Sequence, residues 1–125
     1  MQCPKCLGKM SKVRVEDIVI DRCDNCGGLW FDEGELQKLL AIKGSERVID
    51  TGDPALGKSM NQTGRVECPR CHNPMIKMVV PQQAHIQFES CIVCYGAFFD
   101  AGEFTDAKHL TLAERLTDFV RPMRK

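Results

Sequence analysis

Residues 23–36 read CDNCGGLWFDEGEL and residues 91–104 read CIVCYGAFFDAGEF, one pattern written twice at an offset of 68. Each copy is preceded by another cysteine pair, Cys-Pro-Lys-Cys at 3–6 and Cys-Pro-Arg-Cys at 68–71. Met10 and Lys12 behind the first are answered by Met75 and Lys77 behind the second, an offset of 65. All eight cysteines of the 125-residue chain fall in these four Cys-x-x-Cys pairs. Each pair sets two thiolates on one tight turn, so two pairs close a tetrahedral four-sulfur metal site. The expected ligands are Cys3, Cys6, Cys23 and Cys26 for one ion, and Cys68, Cys71, Cys91 and Cys94 for the other. The three extra residues of the second copy lie between its pairs, since sixteen residues separate Cys6 from Cys23 and nineteen separate Cys71 from Cys91. Length variation of that kind belongs at the tip of a hairpin.

Modules this small cannot rest on a hydrophobic core alone, so the metal acts as the staple, with each ion confined to one repeat; loss of one ion is expected to unfold its own half while the other ribbon persists. Seventeen Lys and Arg balance seventeen Asp and Glu. A divalent ion held by four thiolates leaves two formal negative charges, which takes the loaded chain to about minus four. The strongly basic footprint of a nucleic-acid binder is missing. Disulfides are the rival use of paired cysteines. Met1 leads straight into Gln2 and Cys3 with no apolar segment, so neither a signal peptide nor a membrane span is expected. The expectation is a cytoplasmic, reducing compartment, where paired cysteines read as metal ligands.

Between the pairs, Val13 and Val15, then Ile18 and Ile20, alternate around Glu16-Asp17 as the arms of a hairpin. Met75 to Glu89 repeats this with Pro81-Gln82-Gln83 as a wider tip. Leu29-Trp30-Phe31 and Ala97-Phe98-Phe99 read as third short strands. Asp32-x-Gly-Glu35 and Asp100-x-Gly-Glu103 are capping-box variants that open helices. The first helix is expected over 33–43 with Leu36, Leu39 and Leu40 on one face, the second from Ala101 to about Leu110. A second capping box at Thr111–Glu114 opens a last helix to near Pro122. Its stripe of Leu112, Leu116, Phe119 and Val120 packs internally or against a second copy, leaving oligomeric state open. The organisation expected is a small metal-dependent α+β fold: a first ribbon with its helix at 1–43, a linker at 44–64, and a second ribbon with C-terminal helices at 65–125.

The order Cys-Pro-x-Cys, Met, a second Cys-x-x-Cys, then Gly-Gly-Leu-Trp-Phe-Asp-x-Gly-Glu-Leu resembles the TFIIB-type zinc-ribbon family. The likeness runs over 3–40 in full and over 68–104 with departures, namely Tyr95 for the first Gly, Phe98 for Trp and Phe104 for Leu. It implies tandem zinc ribbons, two zinc ions ligated by the eight matched cysteines, and a link to transcription.

Four sulfurs per site describe a structural metal with no open position for water or substrate. Rubredoxin-like iron uses the same geometry. His72, His85 and His109 are not needed as ligands and are expected in solvent. Gly52-Asp-Pro-Ala-Leu-Gly57-Lys58-Ser59 satisfies the phosphate-loop pattern Gly-x4-Gly-Lys-Ser. It lacks the parallel strand before and the good helix after, so it reads as linker and no nucleotide is expected. Of Trp30 and Phe31, and of Phe98 and Phe99, one ring should point into the core and the other out, the core role leading. Asp32, Glu35, Asp100 and Glu103 read as helix caps. The basic residues Lys5, Lys9 and Lys12, Arg65, Arg70 and Lys77, and Arg121, Arg124 and Lys125 read as solvated or as screening the sulfur sites.

The function expected is a non-catalytic zinc-binding interaction module, transcription-associated and acting through a protein partner. Its candidate contacts are Trp30, Phe31, Lys9 and Lys12. The rivals are direct nucleic-acid binding, expected to be weak, and a thiol-based redox or zinc sensor. No nucleophile, base and oxyanion constellation can be assembled, so an enzyme is not expected.

Overall fold

A computed structural model describes residues 1–60, 66–80 and 83–113. Strands β1 (Met10–Val15) and β2 (Ile18–Cys23) form the first hairpin, turning at Glu16, which takes φ 56. Strand β3 (Leu29–Phe31) lies against β2. The second copy repeats this with β4 (Ile76–Val80), β5 (Gln83–Ser90) and β6 (Ala97–Phe99). The expected tip at Pro81-Gln82 lies outside the described residues.

The two ribbons share one six-stranded sheet, ordered β1-β2-β3-β6-β5-β4. Strands β3 and β6 pair antiparallel, with Trp30 opposite Phe98, Leu29 opposite Phe99 and Phe31 opposite Ala97. Trp30 and Phe98 are counterparts in the repeat, so a local two-fold axis passes through their pairing. In a lone ribbon the third strand would be an unpaired edge. Here each third strand finds its partner in the other copy, which corrects the expectation of two independent halves.

This pairing corrects the expectation of one inward and one outward ring per strand. The side chains do alternate, as strands require, but both faces of the sheet are covered, and Trp30, Phe31, Phe98 and Phe99 are all 0% exposed. One face carries Leu29, Phe31, Ala97 and Phe99 against apolar residues of helices α1 (Glu35–Leu40), α2 (Ser45–Ile49) and α4 (Glu103–Ala113). Phe99 stacks on Phe88 at 4.7 Å and meets Phe31 edge-on at 5.5 Å. The opposite face carries Trp30 and Phe98 against Met10, Met75, Val66 and the cysteines. The rings dock reciprocally. A Cβ on Gly96 would sit 2.2 Å from Trp30 Cζ2, and one on Gly28 would sit 2.2 Å from Phe98 Cζ.

Helix α1 is shorter than expected and stops at Ala41. The linker carries two short helices, α2 and α3 (Pro54–Met60). Asp53 caps α3 by accepting the Ala55 N–H at 2.9 Å, and Pro54 starts it. Helix α4 runs unbroken through Thr111 to Ala113, which corrects the expected boundary near Leu110: no Gly or Pro stands there to stop it. The rest of the expected last helix lies outside the described residues.

Candidate metal centres

Each cysteine pair forms a knuckle closed by a backbone hydrogen bond from the residue after its second cysteine to the carbonyl of its first. These are Leu7 to Cys3 and Gly27 to Cys23, both 3.1 Å, and His72 to Cys68 and Tyr95 to Cys91, both 2.9 Å. The geometry needs a left-handed residue, and φ is 65 at Leu7, 78 at Gly27, 63 at His72 and 62 at Tyr95. Gly27 adopts it freely; a side chain there costs about 1 kcal/mol. The knuckles also aim amides at sulfur. Asn25 and Cys26 donate to Cys23 Sγ and Arg70 and Cys71 to Cys68 Sγ, all at 3.4 Å, and Val93 donates to Cys91 Sγ at 3.4 Å. Such donors favour thiolate.

The knuckles converge in two groups of four, and in each the sulfurs lie within 4.8 Å of one another. Cys6 and Cys23 Sγ are 3.4 Å apart, Cys3 and Cys26 3.8 Å, Cys71 and Cys91 3.3 Å, and Cys68 and Cys94 3.6 Å. A zinc–sulfur tetrahedron with about 2.3 Å bonds has edges of about 3.8 Å, so each group fits one ion. The thiol chemistry agrees. The hydrogen bond from Cys26 draws the Cys3 thiol down to about 5 and pushes Cys26 up. Hydrogen bonds from Asn73 and Cys91 draw Cys71 down to about 6, while burial pushes Cys68 up to about 12. A dication held by the four sulfurs of either group would keep all four deprotonated. Both sites are closed by cysteine alone. His72 and His109 are exposed, and the His85 side chain lies outside the described residues.

Around the sites, charge crosses the two-fold axis. Lys5, between Cys3 and Cys6, buries its side chain wholly and reaches Asp100 Oδ2 at 2.7 Å, Glu89 Oε2 at 3.0 Å and the Met60 carbonyl at 3.2 Å. Arg70, its counterpart between Cys68 and Cys71, donates from Nη2 to Asp32 Oδ2 at 2.9 Å and lies 3.7 Å from Asp21. The acids are counterparts too, Asp32 of Asp100 and Asp21 of Glu89. Lys12 flanks Asp21 at 2.9 Å as Lys77 flanks Glu89 at 2.8 Å. Lys5 is therefore not a solvated charge, and both Lys5 and the more exposed Arg70 are paired with carboxylates of the opposite copy.

The capping-box reading needs correction at its aspartates. Helix α1 has Gly34 at its N-cap and no side-chain cap, and the Asp32 carboxylate accepts instead from Trp30 Nε1 at 3.0 Å and from Arg70. Glu35 does reach back, accepting the Asp32 N–H at 2.9 Å, whereas Glu103 accepts the Gln87 N–H at 3.2 Å. Partial burial alone would lift the Asp32 carboxyl, but Arg70 and the indole hold it below its ordinary value. Deeper burial wins at Asp100, raised to about 6 despite Lys5, and at Glu103, raised to about 7. Of the four candidate partner contacts, Lys9 and Lys12 are exposed. Trp30 and Phe31 are wholly buried and have no surface to offer, which corrects that assignment.

The glycines of GDPALGKS serve packing. Gly57 is buried inside α3, where a Cβ would come within 1.9 Å of the Ala101 carbonyl oxygen, and Gly52 lies against Gly27 and Ala101. Sequence reading missed the crossed ion pairs, although charges recurring at offsets of 65 and 68 were visible. A family described as transcription factor zinc-finger, of the TFIIB zinc-ribbon type, matches residues 2–42 and 67–109, one match per copy. No curated protein and no solved structure matches the chain.

Proposed function

The chain belongs to the TFIIB-type zinc-ribbon family, and we propose that it is a non-catalytic, transcription-associated interaction module whose two zinc sites brace a surface for a protein partner. The observation that supports this reading is that its reactive chemistry is used internally. All eight thiols are grouped as ligands, leaving no open coordination position for catalysis. The four third-strand rings are buried and give no stacking platform for bases. The knuckle cations Lys5 and Arg70 are held by carboxylates rather than presented to phosphate. No helix among the described residues is long and apolar enough to cross a membrane.

Titration of labelled single- and double-stranded oligonucleotides against the zinc-loaded chain tests the reading. Few phosphate contacts predict dissociation constants of about 10⁻⁵ M or weaker at physiological salt, with a log–log salt slope shallower than about −3. Nanomolar binding, weakened tenfold by Lys9→Ala or Lys12→Ala with both zinc ions retained, moves the assignment to direct nucleic-acid recognition.

A further inference from the structure

The repeat continues past Leu36 and Phe104. Glu46-Arg47-Val48-Ile49-Asp50-x-x-x-Pro54 returns as Glu114-Arg115-Leu116-Thr117-Asp118-x-x-x-Pro122, again at an offset of 68. In the first copy this stretch works as a strap between the two halves. Asp50 accepts the Gly102 and Thr105 N–H groups at 2.9 Å and the Thr105 hydroxyl at 2.7 Å. Pro54 sits over Gly102, where an added Cβ would meet it at 2.9 Å. Gly52 is wedged between Gly27 and Ala101, so Thr51–Asp53 line a cleft with Asp24–Gly27, the second knuckle of the same copy.

The equivalent place on the other side is open among the described residues. Gly34, the counterpart of Gly102 with φ 89 against 90, has nothing within 4 Å of an added Cβ. The second knuckle of the second copy exposes Ile92 at 61%, Val93 at 58% and Tyr95 at 59%. Knuckle and strap change character together. Asp24, Asn25 and Gly27 run beside Thr51, Gly52 and Asp53, all small or polar. The counterparts of the knuckle residues are Ile92, Val93 and Tyr95, and the sequence positions matching Thr51 and Gly52 hold Phe119 and Val120. Apolar surface of this kind gains free energy when covered by apolar side chains.

The direction of α4, as far as Ala113, points there. Thr105 lies at Asp50 while Lys108 donates to the Ile42 carbonyl, so rising numbers on α4 meet falling numbers on the segment beside it. Beyond Ala113 that direction points along α1 toward Gly34. Five residues from Ala113 to Asp118 span up to about 17 Å.

We propose that residues 114–122 form the second strap, docking over the exposed Ile92–Tyr95 knuckle and the open Glu33–Gly34 turn. Phe119 and Val120 cover Ile92, Val93 and Tyr95, Pro122 covers Gly34, and Asp118 takes the place opposite the Gly34 turn that Asp50 holds opposite Gly102. Each strap then ties its own copy's knuckle to the other copy's turn.

Methyl NOE spectroscopy on the full, two-zinc chain tests this, with isotope filtering on a mixed-label sample to separate contacts within one chain from contacts between chains. The expected result is intramolecular cross-peaks from Val120 to Ile92 and Val93. Phe119→Asp should remove them and shift amides confined to 33–37 and 91–96. Asp118→Ala should speed amide exchange at Gly34 at least about tenfold while leaving Gly102 unchanged. Both variants are read on samples that retain two zinc ions, so unfolding cannot imitate the result. Cross-peaks seen only between chains, absent cross-peaks, or amide shifts falling elsewhere would each overturn the proposal.

Discussion

Lys5→Ala removes the cation from a buried acidic pair, and its cost follows from what it leaves behind. The Lys5 side chain is wholly buried, as is that of Asp100, and Glu89 is 3% exposed. Truncating one partner of a buried ion pair costs about 3–5 kcal/mol, because the remaining charge has neither water nor counterion. Lys77 still serves Glu89 at 2.8 Å, so the loss falls chiefly on Asp100. The counterpart Arg70→Ala acts on a pair whose side chains are 43% and 39% exposed, where water screens the charge and the cost is about 1 kcal/mol or less. Guanidinium unfolding of both variants with zinc in excess, at pH 8, should separate them by at least about 2 kcal/mol. The pH dependence has a definite sign. The Asp100 carboxyl sits at about 6 even with Lys5 present, and removing Lys5 raises it further. A carboxyl raised in the folded state binds its proton there, so the penalty is full above the folded value and fades as pH falls through it. The Lys5→Ala deficit should shrink from pH 8 to pH 6, and Asp100→Asn in the same chain should restore part of it. A deficit below about 1 kcal/mol, or one matched by Arg70→Ala, would mean that Asp100 does not depend on Lys5 for its burial.

Gly96→Ala should cost about 1–3 kcal/mol and alter the Trp30 emission, because the new methyl has to displace the indole from 2.2 Å; an unchanged spectrum and stability would contradict the reciprocal docking of the rings. Glu103→Gln keeps an acceptor for the Gln87 N–H and removes a carboxyl that burial lifts to about 7. Ionising a carboxyl raised in the folded state costs stability, so the variant should melt higher than its parent at pH 8, with an advantage that narrows toward pH 6. Lys58 is exposed on α3, so Lys58→Ala should leave the melting temperature unchanged, and magnesium ATP should not shift the parent; a saturable shift would restore the phosphate-loop reading.

What was legible in the sequence is what depends on neighbours along the chain. Ligand spacing places the knuckles, alternation places the hairpin arms, and the aromatic triplets Leu29–Phe31 and Ala97–Phe99 are the third strands. The join between the copies was not legible, since β3 and β6 lie 68 residues apart and nothing local distinguishes a strand that stops at an edge from one that finds a partner. That join decides the rest. It buries Trp30 and Phe98, and it turns Asp32 and Asp100 from caps into acceptors for Arg70 and Lys5. Helices α2 and α3 escaped because five and seven residues are too short to show a 3.6-residue period. Asp53-Pro54 was their one local start signal.

Two zinc ribbons that share one sheet, one aromatic core and crossed ion pairs should lose their order together. Native mass spectrometry during stepwise chelation reads this coupling, because it counts the ions on each chain as they leave. The two-zinc species should give way to the zinc-free chain with the one-zinc form remaining minor, and a Cys23→Ser chain should lose order in both copies. A one-zinc form that becomes the main species midway, with one ribbon still folded, would contradict it.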